Sequence, residues 1–291
     1  MKTDIFFNKE RGIKGCISDG WRIFALNWRA YIKALWAYLI FTGMAGAFFV
    51  EMNVQYVCNH LLPALRLYQM KGNPEIIKML AMPELSLLCY YILSAVVLGT
   101  ALFCTHSRTI QLMLHYATEQ TLPQLPLPLL KEERATALRI LKTNLSFGLL
   151  TAIITTGILA AAWKWQPWIA LTLIPLYIYV SATANVCELQ HALKCKSFKS
   201  SLVYALKHSM GLTFIIQFIT FIPSALLCLV FIMPTCIYAL TEWAGNNSML
   251  MDDPSGLPSY LPFMFFILNA IGLACCAFVG SVRSWTLALK Q

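Results

Sequence analysis

Long blocks of apolar residues, nearly empty of charge, constrain this chain more than any other feature. They fall at roughly 34–56, 85–105, 145–163, 168–188, 211–240 and 260–281. About twenty such residues in a helix cross ~30 Å of hydrocarbon, and a helix satisfies its own backbone hydrogen bonds there. Charged types make up only 12% of the chain, against about a quarter in soluble domains. A water-facing shell for so much apolar surface is therefore missing. The expected fold class is all-α, a polytopic transmembrane bundle of about six spans, with residues 1–291 forming a single integral membrane domain. The first apolar block begins only after Lys33, too far from Met1 for a secretory leader, so that span is expected to be retained.

Orientation follows from where the cations lie. With a cytoplasmic N-terminus, eighteen of the 22 Lys and Arg residues fall on inner segments, and only Arg66, Lys71, Lys78 and Lys164 on outer ones. Both termini are thus expected in the cytoplasm. Trp36, Trp163, Trp165, Trp168 and Trp243 near span ends fit interfacial aromatic belts. The net charge of +9 sits beside the spans, which points to anionic lipid headgroups and away from nucleic acid. Residues 57–84 have room for a short helix near Pro74–Leu80, residues 241–259 read as an acidic turn-rich loop, and Leu122–Leu130 should be extended. The fifth block holds Pro223 and Pro234 and is expected to be tilted or bent.

Three inner segments repeat one design, a basic amphipathic helix that runs into a span. In Ser18–Lys33, Trp21, Phe24, Ala25, Trp28 and Ile32 share a face opposite Arg22, Arg29 and Lys33. In Glu132–Leu145, Leu138, Leu141 and Leu145 oppose Arg139 and Lys142, and in Phe198–Met210, Phe198, Leu202, Ala205 and Leu206 oppose Lys199 and Lys207. Apolar spacings of three and four predict helices, and the basic faces suit the plane of an anionic leaflet. Read as interfacial elbows, they divide the chain into elbow-plus-hairpin units at about 13–105, 131–188 and 197–281. Anchoring of the fold accounts for them without further function; recruitment of particular lipids or of a protein partner is the sharper reading.

Ionisable residues inside spans are functional candidates. Tyr177, Ser181, Asn185, Glu188 and His191 succeed one another at steps of four, four, three and three, which draws one polar stripe expected to face the bundle interior. Arg108 lies just past the second span and is a candidate partner for Glu188. The stripe is either interhelical hydrogen bonding or the wall of a cytoplasm-facing polar cavity. No H-E-x-x-H, G-x-S-x-G or P-loop pattern occurs, so catalysis is not expected. A metal site from His106, His191 and His208 has no ligand spacing behind it, and no cofactor is expected. Ten cysteines include no C-x-x-C pair. Cys58 and Cys236 both fall near the outer surface, where a disulfide is open but not called for by spacing. Asn246-Asn247-Ser248 matches a glycosylation acceptor too short to be specific.

The stretch Pro175–Val230 combines a polar-striped span, a basic linker, an Ala-Leu-Lys amphipathic helix and a long following span. In this it resembles uncharacterised multi-pass bacterial membrane families, loosely similar to the membrane region attached to some glycerophosphodiester phosphodiesterases. Trp21–Trp36 fits the same style. The resemblance implies an inner-membrane location and six helices, and it implies no activity. The functional expectation is a non-enzymatic inner-membrane protein, an accessory or scaffold subunit in lipid or envelope processes. The alternative is a small-molecule transporter that uses the stripe on span four.

Overall fold

Apolar runs of this length favour the helix, and in the computed structural model every element among the described residues is helical. It describes residues 12–61, 85–119, 131–164, 167–193, 197–208, 213–250 and 260–289, with the single positions 63, 122, 211 and 258. In chain order come α1 (Ile13–Tyr56), a π-turn (Val57–Leu61), α2 (Leu85–Glu119), α3 (Lys131–Lys164), a 3-10 turn (Pro167–Thr172), α4 (Leu173–Leu193), α5 (Phe198–His208), α6 (Phe214–Leu250) and α7 (Leu261–Ala288). Five helices, α1, α2, α3, α6 and α7, are long and apolar enough to cross a membrane. The fourth expected span, 168–188, falls on the 3-10 turn and on the first part of α4, a helix of 21 residues that is not among those five.

Three boundaries differ from expectation. The second span does not end at Thr105: α2 continues to Glu119, so Arg108 is buried within the helix and not at its mouth. The fifth does not give way to a loop after Leu240. No strong breaker occurs before Pro254, and α6 runs unbroken through Pro223 and Pro234 to Leu250. The first two basic amphipathic segments are the leading turns of α1 and α3, whereas the third is a helix of its own, α5. The short helix expected at 74–80, the extended segment after Leu122 and the loop residues 251–257 lie outside the described residues.

Two compact units emerge, and α1, α2, α6 and α7 contribute to both. One comprises Met1–Trp36, His106–Ala225 and Gly280–Gln291; the other comprises Ala37–Thr105 and Leu226–Val279. In the second unit, small residues let helices close on one another, as expected where hydrocarbon supplies no drive to bury apolar surface. A Cβ at Gly43 would strike the Ala270 carbonyl oxygen, and one at Gly272 would strike that of Phe231, so α7 meets α1 on one side and α6 on the other. Thr42 and Thr105 join their hydroxyls at 2.7 Å across α1 and α2. Val54, Cys58, Tyr238 and Phe265 form an apolar cluster. Cys58 and Cys236 are both free thiols.

In the first unit the packed faces mix apolar and polar side chains. The turns of α3 bury Ile140, Thr143 and Phe147, while Leu138, Leu141, Leu145 and Leu149 are exposed. Likewise α1 packs through Ile23, Tyr31 and Leu35 and exposes Trp21, Trp28 and Trp36. Phe147 of α3, Val186 and Cys187 of α4, and Ala205 of α5 make a joint core, with Phe198 and Leu202 packed against it. Apolar side chains turn outward because the surroundings of a span are hydrocarbon, where leucine has nothing to gain from burial.

Alanine normally stabilises a helix relative to glycine by up to about 1 kcal/mol. Gly43→Ala and Gly272→Ala should nevertheless lower stability by about 1–3 kcal/mol, because each new methyl meets backbone. Gly99→Ala, with open space around the added carbon, should be neutral or stabilising. Unfolding in mixed micelles on titration with a denaturing detergent measures all three.

Candidate polar site at the buried end of helix α4

Helix α4 changes environment along its length. Tyr177 is 58% exposed, whereas Ala182, Thr183, Val186, Cys187, Glu188, Gln190 and His191 are all buried. These last residues cover most of the helix circumference, so this end of α4 is largely buried within its unit. The expected stripe is therefore not one continuous wall. Tyr177 faces outward, Ser181 and Asn185 are half-buried, and Glu188 and His191 are interior.

Ser181, Asn185, Glu188 and His191 each have a partner. Ser181 Oγ accepts from Gln217 Nε2 of α6 at 2.9 Å. Asn185 Nδ2 donates back to the Ser181 carbonyl at 2.9 Å. Glu188 Oε2 lies 2.6 Å from His106 Nε2 of α2, and its Oε1 accepts from Asn144 Nδ2 of α3 at 3.3 Å. Three helices thus converge on one carboxylate. The His191 ring meets Phe198 edge-on at 5.9 Å. Arg108 Nη1 donates to Gln111 Oε1 at 3.2 Å, one turn along its own helix. His106 is the imidazole that meets Glu188.

A buried carboxylate is tolerated only when charge and hydrogen bonds compensate it. His106 and Asn144 do this from two directions. The His106 side chain keeps 29% exposure while that of Glu188 keeps 3%, so the imidazole is the accessible member of the pair. Chemically the arrangement can hold or exchange a proton between ring nitrogen and carboxylate. His208 stacks on Tyr204 at 4.0 Å, so the three imidazoles considered for a metal take separate partners. No group of three His, Cys, Asp or Glu suited to a metal occurs among the described residues.

Beside this site, Arg283 of α7 donates to Thr220 Oγ1 at 3.3 Å and to the Gln217 carbonyl at 3.2 Å. Its guanidinium also lies over the Phe221 ring at 5.3 Å. Sequence reasoning missed Asn144 because it fell in the basic amphipathic segment Glu132–Leu145, and Gln217 because it was counted as part of the apolar run 211–240. Ranking every amide within a span by its distance from the span's ends would have marked Gln217. In the other unit, Tyr238 donates to Glu51 Oε1 at 2.6 Å and Gln55 donates to the same oxygen at 2.8 Å.

The basic candidates occupy the surface. Arg22, Arg29, Lys33, Lys142, Lys199 and Lys207 are exposed and Arg139 is half-buried. Arg29 lies against the Trp28 ring at 5.4 Å and Lys142 against Phe198 at 5.5 Å. A concavity of about 430 Å³ is lined by Asn27, Trp28, Arg29 and Lys33. No family model matches the chain, and neither a curated protein nor a solved structure matches it.

The His106–Glu188 pair should behave as one unit. His106→Phe and Glu188→Leu singly each strand a polar group, and the double variant strands less. Their cycle in mixed micelles should give a coupling of about 1–3 kcal/mol; additive effects would mean that the pair does not form.

Proposed function

We propose that this protein is a six-span protein of the cytoplasmic membrane with both termini in the cytoplasm. It acts there without catalysis, as an accessory or scaffold subunit in lipid or envelope processes. Three basic amphipathic elbows lie against the anionic leaflet. The reading rests on one observation: exposed cations stand beside exposed apolar side chains on the same helix turns, tryptophans among them in α1. Trp21, Trp28 and Ile32 are exposed beside Arg22, Arg29 and Lys33. In α5, Val203 and Leu206 are exposed beside Lys199 and Lys207. Rings and aliphatic groups seat in the headgroup region while cations meet phosphate, and each cation near such a surface contributes about 1 kcal/mol. The distribution of cations along the sequence supports the orientation. The resemblance to bacterial multi-pass families supports the inner membrane as the location.

The purified protein should retain anionic phospholipid in preference to zwitterionic phospholipid, measured by extraction after exchange into mixed micelles of both. The triple variant Arg22→Gln, Arg29→Gln, Lys33→Gln should lose most of that enrichment, and high salt should mimic it. Equal retention of the two lipid classes by the native protein would overturn the proposal.

A second reading is favoured by the Glu188 network: transport of a small polar solute or proton along α4. It requires water to reach Ser181, Asn185 and Glu188. Cysteines placed at these positions should then react with a membrane-impermeant maleimide from the cytoplasmic side. Protection at all three would remove this reading and leave the network as a structural tie.

A further inference from the structure

Helices α6 and α7 meet along an ordered seam within one compact unit. Thr235 Oγ1 donates to Asn269 Oδ1 at 3.0 Å. One turn on, Gly272 lies so near the Phe231 carbonyl that a Cβ could not fit. One turn farther, Cys276 Sγ donates to the Cys228 carbonyl at 3.8 Å, and the two thiols share a side-chain hydrogen bond. Residues 269, 272 and 276 climb one face of α7 by steps of three and four, while 235, 231 and 228 descend one face of α6. The two helices therefore run antiparallel in register, and the cysteines face each other one turn from a close approach of the backbones.

A disulfide needs Cα atoms about 4.4–6.8 Å apart, and a glycine seam is where two helix backbones come that near. Cys275 is the chain neighbour of Cys276, but adjacent side chains on a helix diverge by about 100°. Cys228, across the seam, is therefore the natural partner of Cys276. The surroundings select the oxidant. Both cysteines stand well inside the spans Phe214–Gly245 and Leu261–Thr286. Both are half-buried, and Leu226, Leu229 and Val230 beside Cys228 are exposed. In hydrocarbon a thiolate would be an unsolvated charge, so a thiol there reacts as the thiol. A protonated thiol is a poor nucleophile toward a peroxide, but it still gives up a hydrogen atom. The oxidant that fits dissolves in lipid and abstracts hydrogen, which describes a lipid peroxyl radical.

We infer that Cys228 and Cys276 form a redox modification site, a thiol pair that lipid peroxyl radicals close into a disulfide between α6 and α7. Each thiol yields one hydrogen atom to one peroxyl radical, so two S–H bonds break and two O–H bonds form. The two thiyl sulfurs then join. Two peroxyl radicals become two hydroperoxides, and the dithiol becomes a disulfide. The inference uses only the placement of α6 and α7 in lipid, so it stands or falls apart from the anionic-surface proposal.

The test uses the full chain in nanodiscs of unsaturated phospholipid, kept in air with an oil-soluble azo initiator that generates peroxyl radicals in the bilayer. After denaturation, free thiols are capped with N-ethylmaleimide, the protein is reduced, and newly released thiols are capped with the isotope-labelled reagent. Two of the ten thiols should be lost to the first reagent and recovered by the second, and peptide mapping should place them at Cys228 and Cys276. A water-soluble azo initiator should close the pair far more slowly. Cys228→Ala should remove the reversible label from Cys276, and Cys276→Ala should remove it from Cys228, whereas Cys275→Ala should leave the bond in place. The map of the native protein decides the matter by itself should a variant fail to fold. Reversible labelling at Cys275 in place of Cys228 would overturn the assignment, as would sulfinic or sulfonic products without a disulfide. Equal rates with the two initiators would overturn the choice of oxidant, and with it the inference.

Discussion

Hydrocarbon offers no hydrogen bonds, and this one constraint governs where each residue of the chain sits. A polar group facing lipid is left unpaired at a cost of several kcal/mol, whereas a leucine facing lipid loses almost nothing. The protein accordingly turns its polar side chains inward. Thr143, Thr183, Gln190 and Gln217 are buried, while Leu149, Leu229, Val230 and Phe263 are exposed. Helices close through glycine where no polar group is at stake, as at Gly43 and Gly272. Some polar groups meet across helices, as Thr42 meets Thr105 and Thr235 meets Asn269, and others bond back to their own helix, as Thr143 does to the Arg139 carbonyl.

The same constraint explains what the sequence could and could not reveal. Blocks of apolar residues locate helices directly, because backbone satisfaction requires them. The steps of three and four in Leu138, Leu141 and Leu145 correctly foretell a helix, but they do not say which face packs. In water those leucines would lie inside. Here they are exposed, and the intervening Thr143 is buried. Helix ends were misjudged for a related reason. Past Thr105 the polar residues Ser107, Arg108, Thr109 and Gln111 read as the exit from a membrane, yet all are buried and helix α2 runs on.

The candidate site was half legible. The spacing of Ser181, Asn185 and Glu188 placed them on one face of a helix, and ionisable residues in a span are rare enough to draw notice. Their partners are far away in sequence: His106 lies 82 residues from Glu188 and Asn144 lies 44. Only the packing of three helices brings them together, and no local pattern encodes that. The outcome is a carboxylate held from two sides at the buried end of α4 and cationic turns on the outer surface. These two features have different chemistry, and each admits a separate role in a membrane protein.

Depth-resolved accessibility tests the outward turn of apolar side chains most directly. Spin labels at Leu226, Leu229, Val230 and Met233 of α6, all exposed apolar positions, should collide freely with dissolved oxygen in a lipid bilayer and be shielded from a water-soluble nickel relaxant. A label at Ile216, which is buried, should be shielded from both. Strong collision with nickel along the whole series would contradict the account, because those faces would then be in water.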